Sequence, residues 1–242
     1  MLFGIALTAL AIAAGAIAAV AGFGIGSLLT PALAIQTGTK LAVAAITIPH
    51  CIGSAQRLWI LRRRVDRDVL LGFGAASAVG GLGGALAHVW ISSRALAVVF
   101  GIIVTIAGVS EITRWVQRVR WGRSAAWVAG ALSGALGGLV GNQGGIRTAA
   151  MLGFDVPKES FVATSAAIAL VVDGARLPVY LATQWRDIAA IWQIVLVLAI
   201  GVVAGTAIGT RALTRLPQES FRRVIGVLLI ALGLYMTFAG RG

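Results

Sequence analysis

The chain has 242 residues, of which 59% are hydrophobic and 12% are charged, and its mean hydropathy is +0.95. This composition excludes an ordinary soluble globular domain. The net charge of +12 does not indicate a nucleic-acid partner, because the arginines lie in short loops beside apolar stretches, where they orient a protein in a membrane. We therefore predict one all-α, polytopic membrane domain over residues 1–242, surrounded by lipid and without nucleic acid.

Apolar stretches about as long as a bilayer-crossing helix, roughly 20 residues, follow one another along the chain. They are continuous rather than alternating, which favours helices over a β-barrel. Each half contains four long pieces, and glycines interrupt the first of them. The predicted pieces are 2–20 with 28–35, 41–61, 69–89, 95–112, 125–140 with 146–152, 159–181, 188–209 and 221–238.

The two halves, 1–120 and 121–242, resemble each other. A shift of 119 residues places Gly22 on Gly141, Gly26 on Gly145, Arg57 on Arg176 and Arg67-Asp68 on Arg186-Asp187. Near the end of each half the offset grows to 125. An internal duplication explains this match economically. Chance similarity between helices rich in Ala, Gly and Leu is the alternative.

The arginines predict the membrane topology. Arg62–Arg64, Arg114–Arg123 and Arg211–Arg223 are basic loops that should all face the cytoplasm. All three loops lie on the cytoplasmic side if each half begins with a re-entrant hairpin and then crosses the membrane three times. The two halves are then inverted repeats, and both termini lie outside. Eight full crossings in a parallel repeat remain the alternative. No Lys or Arg precedes the first stretch, so we expect it to be retained rather than cleaved as a signal peptide.

The glycine breaks at Gly22–Gly26 and Gly141–Gly145 are candidate binding elements. A broken helix in lipid frees backbone N–H groups, and an anion at a helix N-terminus satisfies them. Packing of helices through small residues is the alternative, and it is our interpretation of 80–84 and 137–138. The candidate binding residues here are Gly22, Gly24, Gly26, Ser27, Asn142, Gln143, Gly144 and Gly145.

Charged residues inside the apolar pieces supply the next candidates. Arg57 and Arg176 lie before the ends of equivalent helices, where each costs about 3 kcal/mol to insert unless it faces a partner or a pathway. Planar guanidinium groups suit an oxyanion, whereas snorkelling to the headgroups is the alternative. Asp173 should pair with Arg176 one turn away, and Asp173, His50 and Gln56 are candidate coupling residues. For Asp173, plain charge compensation is the alternative, and His50 could simply hydrogen-bond a neighbouring helix.

Other classes of site receive no support from the sequence. No His/Asp/Glu cluster has metal-ligand spacing, and no hydrolase or Walker-type motif is present. We expect neither a cofactor nor a metal, and no enzymatic activity. The single cysteine, Cys51, fits a small core residue.

The whole chain resembles the TauE/SafE sulfite exporter family, also known as the 4-toluene sulfonate uptake permeases. Three features carry the resemblance: the glycine-broken first helix in each half, the small-residue helix starts at 42–45 and 161–165, and an Arg-Asp pair before the third helix. It implies transport of sulfite or an organosulfonate, and it adds Thr164 and Ser165 as candidate substrate contacts. Their counterparts in the first half are Ala45 and Ile46, so the halves need not contribute equally.

The sequence thus predicts a secondary transporter, more specifically an exporter, working by alternating access in the bacterial inner membrane. Its partners would be a small anionic substrate and membrane lipid, and the sequence is also compatible with a homodimer. An anion channel and a membrane scaffold without transport are the competing hypotheses.

Overall fold

All of the secondary structure that a computed structural model describes is helical. It describes residues 2–115, 123–142, 144, 147, 151, 157–212 and 218–239. A 3₁₀ turn at Arg62–Arg64 and a π-helical segment at Leu70–Gly74 interrupt the α-helices of the first half. The α-helices are α1 Leu2–Ala21, α2 Ile25–Thr37, α3 Thr39–Leu61, α4 Arg67–Val69, α5 Ala75–Trp90, α6 Ser93–Thr113, α7 Arg123–Val140, α8 Lys158–Ala190, α9 Trp192–Ala212 and α10 Gln218–Phe238.

The helices cover the predicted apolar pieces, with one clear difference in the second half. The predicted break at 182–187 is a kink inside α8, where Gln184 leaves the helical region (φ −133°, ψ 17°). The chain then stays helical to Ala190, because 179–190 contains neither Gly nor Pro to end the helix. The predicted piece 146–152 lies largely outside the described residues.

Five of the described helical stretches are long and apolar enough to cross a membrane. They confirm the prediction of a multi-pass, all-helical membrane protein. The stretches are Gly4–Ala21, Arg67–Trp90, Ser93–Thr113, Glu159–Ala190 and Trp192–Arg211.

Four helices of the first half pack mainly on helices of the second half, whereas α2 packs mainly on α3. The helix α1 packs on α9, α5 on α7, α3 on α8 and α6 on α10. Small residues allow these approaches: a Cβ added at Gly80 or Gly84 would overlap a carbonyl oxygen of α7, at Ala131 or Ala135. The interpretation of the Gly80–Gly84 stretch as a packing surface is therefore confirmed.

Contacts along two of these pairs show that their helices run in the same direction. Along α5 and α7, Gly80 faces Ala131 and Gly84 faces Ala135. Along α1 and α9, Ala11 meets Gly201 and Ala16 meets Gly209. In both pairs the residue numbers of the contacting positions rise together along the two helices, so α1 is parallel to α9 and α7 is parallel to α5.

Replacing Gly84 should destabilise the protein far more than replacing its neighbour Gly83. A side chain at Gly84 meets the backbone of α7, whereas nothing lies within 4 Å of a Cβ at Gly83. We expect Gly84→Leu to lower the melting temperature in detergent by several degrees and Gly83→Leu to leave it nearly unchanged. Equal melting temperatures would contradict the observed packing.

Candidate functional site

Both glycine breaks contain backbone conformations that residues with a side chain adopt only with strain. Gly22 follows α1 with φ +76°, and Gly141 follows α7 with φ +74°. These glycines are related by the 119-residue offset of the repeat. Gly24, with φ +132°, adds a second such residue immediately before α2. Glycine is thus required where the chain turns, as only glycine adopts these angles readily.

The two breaks touch each other inside the protein. A Cβ on Gly26 would lie 2.5 Å from the carbonyl oxygen of Gly141. The Ser27 hydroxyl donates a hydrogen bond to Asn142 Oδ1 at 3.2 Å. On the other side, Phe23 packs against Gly144. The structure therefore brings together most of the residues that the sequence singled out at the breaks.

The N-terminus of α2 contributes backbone donors at this contact. Its first internal hydrogen bond runs from the N–H of Leu28 to the carbonyl of Gly24, and no side chain caps the helix. Ile25, Gly26 and Ser27 are buried, and their N–H groups have no carbonyl within the helix. The positive end of a helix dipole thus lies in the interior, where it favours negative charge.

A buried carboxylate organises the charges next to the breaks. Asp173 Oδ1 accepts a hydrogen bond from Arg176 Nε at 3.0 Å and forms an ion pair with Arg176 Nη2 at 2.8 Å. Asp173 Oδ2 lies 2.7 Å from His50 Nδ1. The remaining Arg176 nitrogen, Nη1, donates to the Gly137 carbonyl in the last turn of α7. The expected Asp173–Arg176 ion pair is present, and it also fixes α3 and α7 against α8.

Arg57 occupies the position equivalent to Arg176, but the residue three positions before it is not an acid. Ser54 stands where the second half has Asp173, and it accepts a hydrogen bond from Arg57 Nη2 at 2.9 Å. Arg57 Nε and Nη1 are buried and have no hydrogen-bond partner. The side chain is only 2% exposed, so its charge is enclosed by protein rather than directed to the surface as snorkelling requires.

Arg147 is a third buried arginine, and the sequence analysis missed it. It is 1% exposed, and only its Nη2 has a partner, the Gly22 carbonyl at a long 3.4 Å. Its Nε and Nη1 have none. Arg147 is close enough to Arg57, Asp173 and Arg176 for electrostatic interaction. The sequence did contain a signal for Arg147, a charged residue in the apolar stretch directly after the second glycine break. The comparison of the halves did not mark it, because its counterpart in the first half is the apolar Leu28.

The unpartnered polar atoms near the breaks are almost all hydrogen-bond donors. They include four guanidinium nitrogens, two from Arg57 and two from Arg147, and the amide nitrogen of Asn142. The Thr30 hydroxyl, also unpartnered, lies near Gly141. Buried donors without acceptors are costly, about 1–3 kcal/mol each and more when charged. The set fits a ligand that offers only acceptors, as an oxyanion does.

The two hydroxyls suggested by the family resemblance behave differently. The Ser165 hydroxyl faces the first break and donates to the Gly22 carbonyl at 3.4 Å. The Thr164 hydroxyl accepts a hydrogen bond from the N–H of Asp66 at 2.8 Å, in the loop before α4. Thr164 thus fixes that loop, and only Ser165 lies beside the glycine break.

The remaining candidates lie at the edge of this site or outside the described part. Gln56 donates from Nε2 to the Val203 carbonyl of α9 at 3.3 Å, so it contacts α9 rather than the Asp173 pair. Gln143 and Gly145 lie outside the described residues.

Two aromatic side chains missed by the sequence analysis extend the polar region from Arg176 along α8. The Tyr180 hydroxyl donates to the Gly138 carbonyl, next to the carbonyl bound by Arg176. The Tyr180 ring packs on His88, whose Nδ1 lies 2.7 Å from the Leu139 carbonyl. These contacts occupy the carbonyls that the end of α7 leaves free.

Comparison with known proteins identifies one family. The family model for the sulfite exporter TauE/SafE matches residues 7–236, nearly the whole chain. No curated protein and no solved structure matches significantly.

Asp173→Asn should destabilise the protein strongly. The substitution leaves Arg176 as an uncompensated buried cation and removes the charged partner of His50, a loss of about 3–5 kcal/mol for a buried pair. Thermal unfolding in detergent measures the effect, and Asp187→Asn, which changes an exposed acid of the same helix, serves as control. Equal stability of the two variants would contradict the role assigned to Asp173.

Proposed function

The chain belongs to the TauE/SafE sulfite exporter family, and we propose that it is a secondary transporter that exports a small sulfur-containing oxyanion across the bacterial inner membrane. Sulfite is the substrate named by the matching family, and the resemblance described in the sequence analysis adds organosulfonates. The observation that carries the proposal is the buried, unpartnered guanidinium N–H groups of Arg57 and Arg147.

The proposed site lies where the glycine breaks meet. Arg57 and Arg147 would bind the anion through two free N–H groups each, with Asn142 Nδ2 as a further donor. The N-terminus of α2 would add backbone donors and a favourable dipole. Asp173 would keep Arg176 neutralised and oriented, so that Arg176 positions the end of α7 rather than holding the substrate.

The helix directions support a re-entrant hairpin at the start of the first half. The Arg64–Glu159 ion pair, 3.5 Å, links the start of α8 to the basic turn after α3, so α9 begins at the opposite end and runs back toward the basic side. Since α1 is parallel to α9, it also runs toward the basic side. The helix α2 returns, because Gly38 after it lies against Ser93, the first residue of α6, at the end of the bundle opposite the basic turn.

The same reasoning supports an oppositely directed hairpin in the second half. The helix α7 is parallel to α5, which runs away from the basic turn, so α7 enters from the basic side. The chain is back at that side where α8 begins, next to Arg64. The two hairpins would then enter from opposite faces and meet at their glycine tips, as inverted repeats require.

Alternating access would follow from movement of one half against the other around this central contact. The inside-negative potential would favour exit of an anion by about 2.3 kcal/mol per charge per 100 mV. Export would therefore need no coupling ion.

Cysteine labelling tests the inverted arrangement. In a Cys51→Ala background, Thr183→Cys should react with a membrane-impermeant maleimide added outside intact cells, whereas Arg63→Cys should react only after permeabilisation. Both side chains are exposed. Eight full crossings would place both positions on the same side, so identical labelling would overturn the hairpin topology.

Counterflow in proteoliposomes tests transport and the two arginines. Labelled sulfite should enter vesicles preloaded with unlabelled sulfite, and Arg57→Gln or Arg147→Gln should reduce the rate at least tenfold by removing buried donors. Arg62→Gln is the control, because Arg62 is exposed and lies over Trp59, 4.3 Å from the ring centroid. Conductance without counterflow would indicate a channel, and undiminished rates in the variants would contradict the proposed site.

A further inference from the structure

The buried charges near the glycine breaks do not balance. Among the described residues this cluster holds three guanidinium cations, Arg57, Arg147 and Arg176, but a single carboxylate, Asp173. Asp173 pairs with Arg176 through one hydrogen bond and an ion-pair contact. With His50 as a neutral imidazole, two positive charges remain uncompensated, on Arg57 and Arg147.

We propose that the transported species is a divalent oxyanion, bound between Arg57 and Arg147, and that monovalent sulfonates are poor substrates. This inference rests on the proposed function and specifies the charge of its substrate. A dianion neutralises both free guanidinium groups, whereas a monoanion leaves one buried cation unpaired, which is unfavourable in a medium of low dielectric constant.

The hydrogen-bond inventory points to the same ligand. Four unpartnered guanidinium nitrogens come in two pairs, Nε with Nη1 on Arg57 and on Arg147. Neither group can find a second carboxylate in the described cluster, and Ser54 supplies only a neutral oxygen to Arg57. A small ion with several terminal oxygens and two negative charges satisfies both groups at once.

Thiosulfate and methanesulfonate separate charge from shape. Both carry an –SO₃ group with one further substituent, a terminal sulfur in the dianion and a methyl group in the monoanion. We would measure how each inhibits counterflow of labelled sulfite in proteoliposomes at pH 8, where unperturbed histidine is neutral. Thiosulfate should inhibit half-maximally at a concentration at least tenfold below that of methanesulfonate.

Variants test whether Arg147 sets this preference. Arg147→Gln removes one of the two charges, so the preference for thiosulfate should fall to about threefold or less. Arg147→Lys keeps the charge and should keep the preference, and so should the exposed control Arg62→Gln. If Arg147→Gln does not fold, the comparison of thiosulfate with methanesulfonate in the unaltered protein and in Arg147→Lys still tests the preference for a divalent anion.

The two proposals fail in different ways. Sulfite counterflow with equal inhibition by both anions, or with stronger inhibition by methanesulfonate, would overturn the divalent assignment and leave the transport function intact. Absence of sulfite counterflow would overturn the transport function. The rise in melting temperature that thiosulfate and methanesulfonate each cause in the purified protein would then test the charge preference by itself. Equal rises would contradict a preference for the divalent anion.

Discussion

A guanidinium cation inside a helix bundle in lipid has to be neutralised by something. This constraint accounts for the arrangement around Asp173. One carboxylate pairs with Arg176, and Arg176 in turn binds the end of α7 through the Gly137 carbonyl. The other two arginines, Arg57 and Arg147, are also buried in the protein. In the proposed site, an anion from solution would neutralise the charges on Arg57 and Arg147.

The differences between the repeats are as informative as their similarities. Position by position, Ser54 replaces Asp173 and Leu28 replaces Arg147. Each of these changes alters the charge at matching positions of the two halves. In one half an arginine is neutralised and serves packing, while in the other the equivalent arginine stays open. Such an asymmetry allows a single small ion to sit beside a pseudo-symmetric contact without requiring a symmetric site.

The sequence predicted the helices, the glycine breaks and the Asp173–Arg176 pair because each depends on local spacing: apolar length, glycine runs and an i,i+3 interval. It did not predict Arg147, since its significance depends on a long-range approach to Gly22. The polar run at 182–187 predicted an interruption of the helix, and the kink at Gln184 lies within that run. Thr164 was a candidate substrate contact from the family resemblance, and the hydrogen bond that its hydroxyl accepts from the Asp66 N–H is a tertiary contact that no local pattern contains.

The central claim is that an anion binds between Arg57 and Arg147 at the meeting point of the glycine breaks. Crystals of the protein soaked with selenite, a heavier analogue of sulfite, test it directly through the anomalous scattering of selenium. One strong anomalous peak is expected within hydrogen-bond distance of both guanidinium groups, and it should be weaker in an Arg147→Gln crystal. A peak confined to the exposed basic loops, with the space between Arg57 and Arg147 empty of selenium, would contradict it.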